Sequence, residues 1–174
     1  SGVPAGDQFV VNEYPAKRAW QPSVVTLAND NYVVAWESCE DCTTESGFPP
    51  CPSQDGDGCG IIARQFDQND LPVGPEFVVN SDVNGEQTAP VLARLSGDSL
   101  VAVWDSHAGL LYDLGVFGRV LTVAPVAAVP QFQLNSHPGA TYSGPRAAGL
   151  DNGQFVTVWA SSPCGPPSDD ICIP

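Results

Sequence analysis

The sequence predicts an all-β fold assembled from tandem repeats, on three observations. One apolar segment is written three times, as NYVVAWES at 31–38, SLVAVWDS at 99–106 and QFVTVWAS at 154–161. Short runs rich in Val, Leu, Phe and Trp alternate with Gly, Asn, Asp and Pro, the punctuation of strands and tight turns. No segment carries a sustained helical period with caps, so almost no helix is expected.

The copies at 9–38, 77–106 and 132–161 align without a gap. Phe9, Phe77 and Phe132 correspond, as do Asn12, Asn80 and Asn135, and Trp36, Trp104 and Trp159. Pro22, Pro90 and Pro145 also match, as do Leu27, Leu95 and Leu150, and Ser38, Ser106 and Ser161. Internal periodicity is weighed before local signals. A further segment follows the first two copies: GIIARQF at 60–66 matches GVFGRVL at 115–121, with Gly60 over Gly115 and Arg64 over Arg119.

Each unit therefore reads as four strands. In the second copy they are FVVN, PVLARL, LVAVW and GVFGRVL. LANDN, LSGDS and LDNGQ sit between the second and third strands, where Asn, Asp and Gly tolerate the positive φ of a hairpin turn. LVAVW is apolar at every position, which predicts burial on both faces, as in stacked sheets. Trp36, Trp104 and Trp159 are expected to pack against a neighbouring unit, with Phe9, Phe77, Phe132 and Asn12, Asn80, Asn135 as the other recurrent core positions. The chain is expected to form one domain, 1–174, with units at about 7–66, 75–121 and 130–174. Residues 39–59 make a Cys-rich loop of variable length.

The third unit is expected to lack its fourth strand, giving about eleven strands and a bare blade edge. Such an edge is a template for strand addition, and head-to-tail contact would give a ring or a filament. Pro174 is a blunting device against it.

PSVVTLANDNYVVAW, GIIARQF and VGPEFVVN resemble a tandem repeat of very large secreted bacterial surface and adhesin-like proteins. The resemblance covers nearly the whole chain. It implies a β-propeller-like array of four-stranded blades outside the cell, with a structural or adhesive role and no catalytic residue. Three four-stranded units also fit a β-trefoil, which closes with three units and often binds sugars.

Acidic residues number 20 against 6 basic, a net charge of −14. Such a balance opposes binding to nucleic acid and to anionic membrane surfaces. No apolar run reaches the ~20 residues of a membrane-spanning helix, so no membrane insertion is expected.

Six cysteines predict an oxidising, extracellular setting. CPSQDGDGC at 51–59 and CGPPSDDIC at 164–172 share one spacing, which favours Cys51–Cys59 and Cys164–Cys172, leaving Cys39–Cys42. Four cysteines in one loop allow three pairings, so this connectivity stays open. A four-thiolate zinc site from Cys39, Cys42, Cys51 and Cys59 is the alternative. DGDG at 55–58 and DQND at 67–70 suggest calcium, with Asp55 and Asp57 as candidate ligands, although neither has EF-hand spacing. The matching loop of the second copy, LTVAPVAA, has no acid, so calcium does not belong to the repeat.

His107 and His137 are expected in non-equivalent loops. No nucleophile triad, paired catalytic carboxylates or phosphate loop can be read. The expected function is a non-enzymatic, self-associating extracellular module without a required cofactor. A lectin is the first alternative, on Trp20 and Tyr142. A glycosidase fragment using Asp55, Asp57, Asp169 or Asp170 is the second.

Overall fold

The computed structural model describes residues 6–14, 18–39, 54–107, 113–123, 126–136, 141–162 and 170–172, and among these there is no helix. Three antiparallel sheets follow one another along the chain. The first contains β1 (Arg18–Thr26), β2 (Tyr32–Cys39), β3 (Cys59–Phe66) and β4 (Phe77–Val78), in that order. The second contains β5 (Glu86–Arg94), β6 (Ser99–His107) and β7 (Asp113–Val123). Its outer side is shared by β8 (Val126–Ala128) and β9 (Phe132–Gln133), which both pair with β7. The third contains β10 (Thr141–Gly149), β11 (Phe155–Ser162) and β12 (Asp170–Cys172).

The hairpin turns fall where the polar residues predict them, and the same backbone bond closes all three. Leu27, Leu95 and Leu150 donate their N–H groups to the carbonyls of Asn31, Ser99 and Gln154 at 2.7, 2.9 and 2.8 Å. Asp30, Gly97 and Gly153 supply the positive φ at 62°, 65° and 81°.

Each first strand is broken by a bulge. Its register shifts between Trp20 and Ser23, Thr88 and Val91, and Ser143 and Arg146. The invariant Pro22, Pro90 or Pro145 lies inside each bulge, where its missing N–H breaks no ladder bond. Gln21, Ala89 and Gly144, just before it, take left-handed φ values of 46°, 54° and 62°.

The sheets stack face on face. Leu27, Val33, Ala35, Ile61 and Ala63 of the first sheet share a core with Leu92, Leu100, Ala102 and Trp104 of the second. Ala93, Leu95, Val101, Val103 and Val116 form the opposite face of the second sheet and pack on Tyr142 and Trp159 of the third. Successive β6 side chains therefore enter different cores, because a strand alternates its faces. That is why β6 is buried along its interior, as its unbroken apolar run predicts. In β11 the alternation is exposed instead: Thr157, Trp159 and Ser161 are buried while Val156 and Ala160 face out.

Three expectations are corrected. The third unit does not lack its fourth strand: β12 pairs with β11, setting Cys172 opposite Trp159 as Ile62 is set opposite Trp36, and the described strands number twelve rather than about eleven. The Phe-x-x-Asn strand does not open its own sheet. Phe77 and Val78 pair with Ala63 and Ile62 of β3, and Phe132 and Gln133 pair with Gly118 and Phe117 of β7. Each such strand completes the sheet before it, because the short linker after the Arg strand folds straight back alongside that strand. The trefoil also fails. It needs strands of the three units to join in one barrel, whereas among the described residues β1, β5 and β10 pair only with β2, β6 and β11, and no sheet closes.

Candidate functional site

The recurrent residues converge on the junctions between sheets, where two devices hold one sheet to the next and a third fixes the outer strand in each of the first two sheets to its neighbour. The first uses the residue after the Trp. The Glu37 carboxylate of the first sheet accepts the N–H of Ala89 in the second at 3.3 Å. The Asp105 carboxylate of the second accepts the N–H of Gly144 in the third at 3.1 Å. The left-handed bulge turns that N–H away from its own ladder and toward the neighbouring sheet. At the equivalent place in the third sheet stands Ala160, exposed and without an acceptor. Burial raises the pKa of Glu37; the Ala89 N–H opposes the rise, Glu86 adds to it, and His107 opposes it.

The second device is the repeat arginine. Arg119 donates through Nε to the Val129 carbonyl at 2.8 Å, within its own sheet's linker. Through Nη1 it reaches back to the Val79 carbonyl of the preceding sheet's outer segment at 2.7 Å. Arg64 repeats both bonds, to the Gly74 carbonyl at 3.3 Å and to the Val11 carbonyl at 3.0 Å. Val11 stands in the repeat where Val79 does. The segment around Phe9–Asn12 therefore lies against the first sheet as Phe77–Asn80 lies against the second. It is fixed there by an Arg64–Glu13 ion pair and a Glu13 N–H bond to Glu76.

The third device is the repeat asparagine. Buried Asn80 accepts the Ile61 N–H through Oδ1 at 2.9 Å, and Asn135 accepts the Val116 N–H at 2.9 Å. Gly115 is needed for this second cap. Its φ is +124°, and a Cβ there would lie 2.1 Å from Asn135 Oδ1.

The sequence-predicted residues are placed unevenly. Trp36, Trp104 and Trp159 are buried, at 4, 0 and 5% exposure. The indole N–H groups of Trp104 and Trp159 have no hydrogen-bond partner among the described residues. Phe77 and Phe132 are partly buried, but Phe9 is 46% exposed, its ring 5.6 Å from that of Phe66. Tyr142 belongs to the second core, which removes it as a ligand platform. Trp20 lies on β1 rather than in a loop, 53% exposed, with the Arg18 guanidinium 5.6 Å from its ring centre. His107 closes β6 instead of standing in a loop.

The disulfide joins Cys39 to Cys59, which overturns both Cys51–Cys59 and Cys39–Cys42. Register decides it: the β2–β3 ladder sets Cys39 directly opposite Cys59, with Cα atoms 4.1 Å apart. The same bond removes two of the four thiolates that a zinc site required. Cys42, Cys51, Cys164, His137 and Asp169 lie outside the described residues, and of Cys172 and Asp170 the structure gives the backbone of β12.

Among the described residues, Glu37, Cys39 and Cys59 come close enough to share a metal ion, but two of them are the disulfide. Asp55 accepts a bond from Asn80 Nδ2 at 2.8 Å and Asp57 one from the Gly85 N–H at 3.0 Å. These carboxylates tie the β3 approach to the segment leading into the second sheet. Asp67 caps its own turn, accepting the N–H groups of Asn69 and Leu71, which lower its pKa. Tyr32 donates to Asp70 at 2.6 Å, and burial together with that bond pushes its pKa up to about 12. An open cleft of about 400 Å³ is lined by Glu13, Tyr14, Gln54, Ile62, Glu76 and Phe77, beside the Arg64 clamp.

The acid after the Trp was the signal that sequence reading missed. It is present as Glu37 and Asp105 and absent as Ala160, a pattern visible in the alignment but without meaning until the bulge is seen. Comparison with family models, curated proteins and solved structures returned no match. A disulfide points to an oxidising compartment, and among the described residues no helix is long and apolar enough to cross a membrane.

Proposed function

We propose that the chain is a non-enzymatic extracellular module, structural or adhesive, that associates with itself. The observation that carries this reading is the repetition of one junction design. The same acid-to-bulge bond joins the first sheet to the second and the second to the third. A surface that propagates itself twice within a chain is suited to propagate between chains. The outward faces support it: Val24 is 63% and Val156 43% exposed, where Leu92 and Val101, their counterparts in the second sheet, are 6 and 0%. In this reading the sheets are blades of a propeller-like array, and the likeness to repeats of secreted bacterial surface proteins fits it.

Light scattering and negative-stain microscopy at near-physiological salt test the proposal. Rings, filaments or a concentration-dependent mass are expected. A monomer at every concentration would end it. Glycan binding is the second reading, favoured by the exposed ring of Trp20. A Trp20→Ala variant that leaves any measured glycan binding intact would remove its basis.

A further inference from the structure

We infer that the segment Phe9–Asn12 of one copy adds to the open side of β12 in a second copy, as the outer strand of that copy's third sheet. The inference rests on the self-association proposed above and specifies its contact. β12 is the last strand of a sheet in which β11 holds its other side. The first and second sheets carry a Phe-x-x-Asn strand at this place, β4 and β9. The third sheet has none among the described residues.

The segment Phe9–Asn12 has the sequence and the posture of that strand. Arg64 holds the Val11 carbonyl as Arg119 holds that of Val79, its counterpart. The Asn12 side chain is set like that of Asn80: each donates Nδ2 to the carbonyl two residues on, Tyr14 at 3.1 Å and Asp82 at 3.0 Å. It thus stands as the outer strand of a preceding sheet, waiting on the first sheet of its own chain for the sheet it would complete.

Register fixes the pairing. Trp36 opposes Ile62, which opposes Val78; Trp104 opposes Phe117, which opposes Gln133. In the third sheet Trp159 opposes Cys172. Val10 corresponds to Val78 and Gln133, so it meets Cys172 of the other copy. Asn12 then caps the Ile171 N–H, as Asn80 caps Ile61 and Asn135 caps Val116. Because Arg64 keeps the segment on its own first sheet, this pairing stacks that sheet on the partner's third sheet, head to tail. The junction so formed lacks the carboxylate link, since Ala160 stands where Glu37 and Asp105 do. Contact between chains is therefore weaker than the two junctions within a chain and remains reversible.

Sedimentation equilibrium of the 174-residue chain tests the register with two variants and a peptide. Asn12→Ala should weaken association about tenfold, the loss of one buried hydrogen bond. Ala160→Asp should tighten it by a similar factor by restoring the bond to the Gln21 N–H. The peptide DQFVVNEY should dissociate the assembly, and its Asn→Ala form should do so less well, a readout independent of how either variant folds. Association indifferent to Asn12→Ala and to the peptide would overturn this register while leaving self-association standing. A chain that stays monomeric, with and without Ala160→Asp, would overturn both.

Discussion

The two junctions within the chain use one design with unequal means. Between the first and second sheets, three devices act together: the Glu37–Ala89 bond, a core centred on the fully buried Trp104, and the Arg119 clamp on Val79. Between the second and third, the Asp105–Gly144 bond and the Trp159 core remain. No arginine clamp crosses this junction among the described residues. Close backbone approach replaces it: a Cβ on Gly149 would lie 1.7 Å from the Arg94 carbonyl. The bulge residue differs in the same sense, since Ala89 holds a left-handed φ that Gly144 adopts without strain. The lesson is that the repeat specifies where sheets meet, while the number of bonds sets how firmly they hold.

The largest effect should come from the core of the first junction. Trp104→Ala is expected to lose about 3–5 kcal/mol in denaturant unfolding, and Trp159→Ala less, because the outer face of its sheet is already exposed. Trp104→Phe should lose much less than Trp104→Ala, since it also removes a buried N–H that has no partner among the described residues. Equal losses for Trp104→Ala and Trp159→Ala would erase the difference between the junctions.

Next comes the disulfide, which closes a sequence separation of 20 residues next to Glu37. Replacing Cys39 and Cys59 with Ser should lower stability by about 3 kcal/mol, and hydrogen exchange should show β2 and β3 loosened before β11. Arg119→Ala should follow, at about 1–3 kcal/mol, through the orphaned Val79 and Val129 carbonyls. Its exchange signature belongs at β4 and β7; a signature at β10 would misplace the clamp.

The smallest effect is a pH dependence peculiar to the first junction. The folded-state pKa of Glu37 lies above its ordinary 4.5. Below 4.5 both folded and unfolded chains hold the proton. As pH rises past 4.5 the unfolded chain releases it first, so Glu37's contribution to stability declines until the folded pKa is passed. Stability curves for Glu37→Gln should lack that decline, and identical curves would place the carboxyl in a solvated site.

Much of this was legible in the residues. The Val-rich runs, the Asx- and Gly-bearing turns and the two-sided burial of LVAVW follow from local chemistry, and the structure keeps all three. What was not legible depends on register and on partners distant in sequence. Equal spacing suggested Cys51–Cys59, but the ladder brings Cys39 to Cys59. Alignment placed Phe77 at the head of a unit, but hydrogen bonding places it at the tail of the sheet before. Asp55 and Asp57 looked like hard-cation ligands, yet they serve as acceptors for Asn80 and Gly85. No local rule marks Gln21 and Ala89 as left-handed, since residues before proline ordinarily favour extended backbone.

The offset between alignment and hydrogen bonding also dictates how the molecule can be dissected. A truncation after Phe66, where the first aligned unit ends, strips the sheet of β4 and leaves the Ile61 N–H without the Asn80 cap. One made just after Asn80 keeps both, and the matching position further along follows Asn135. Minimal fragments, chimeras and copy-number variants should be cut at these asparagines. There the backbone passes from one sheet to the next, and the first two sheets keep every strand they need.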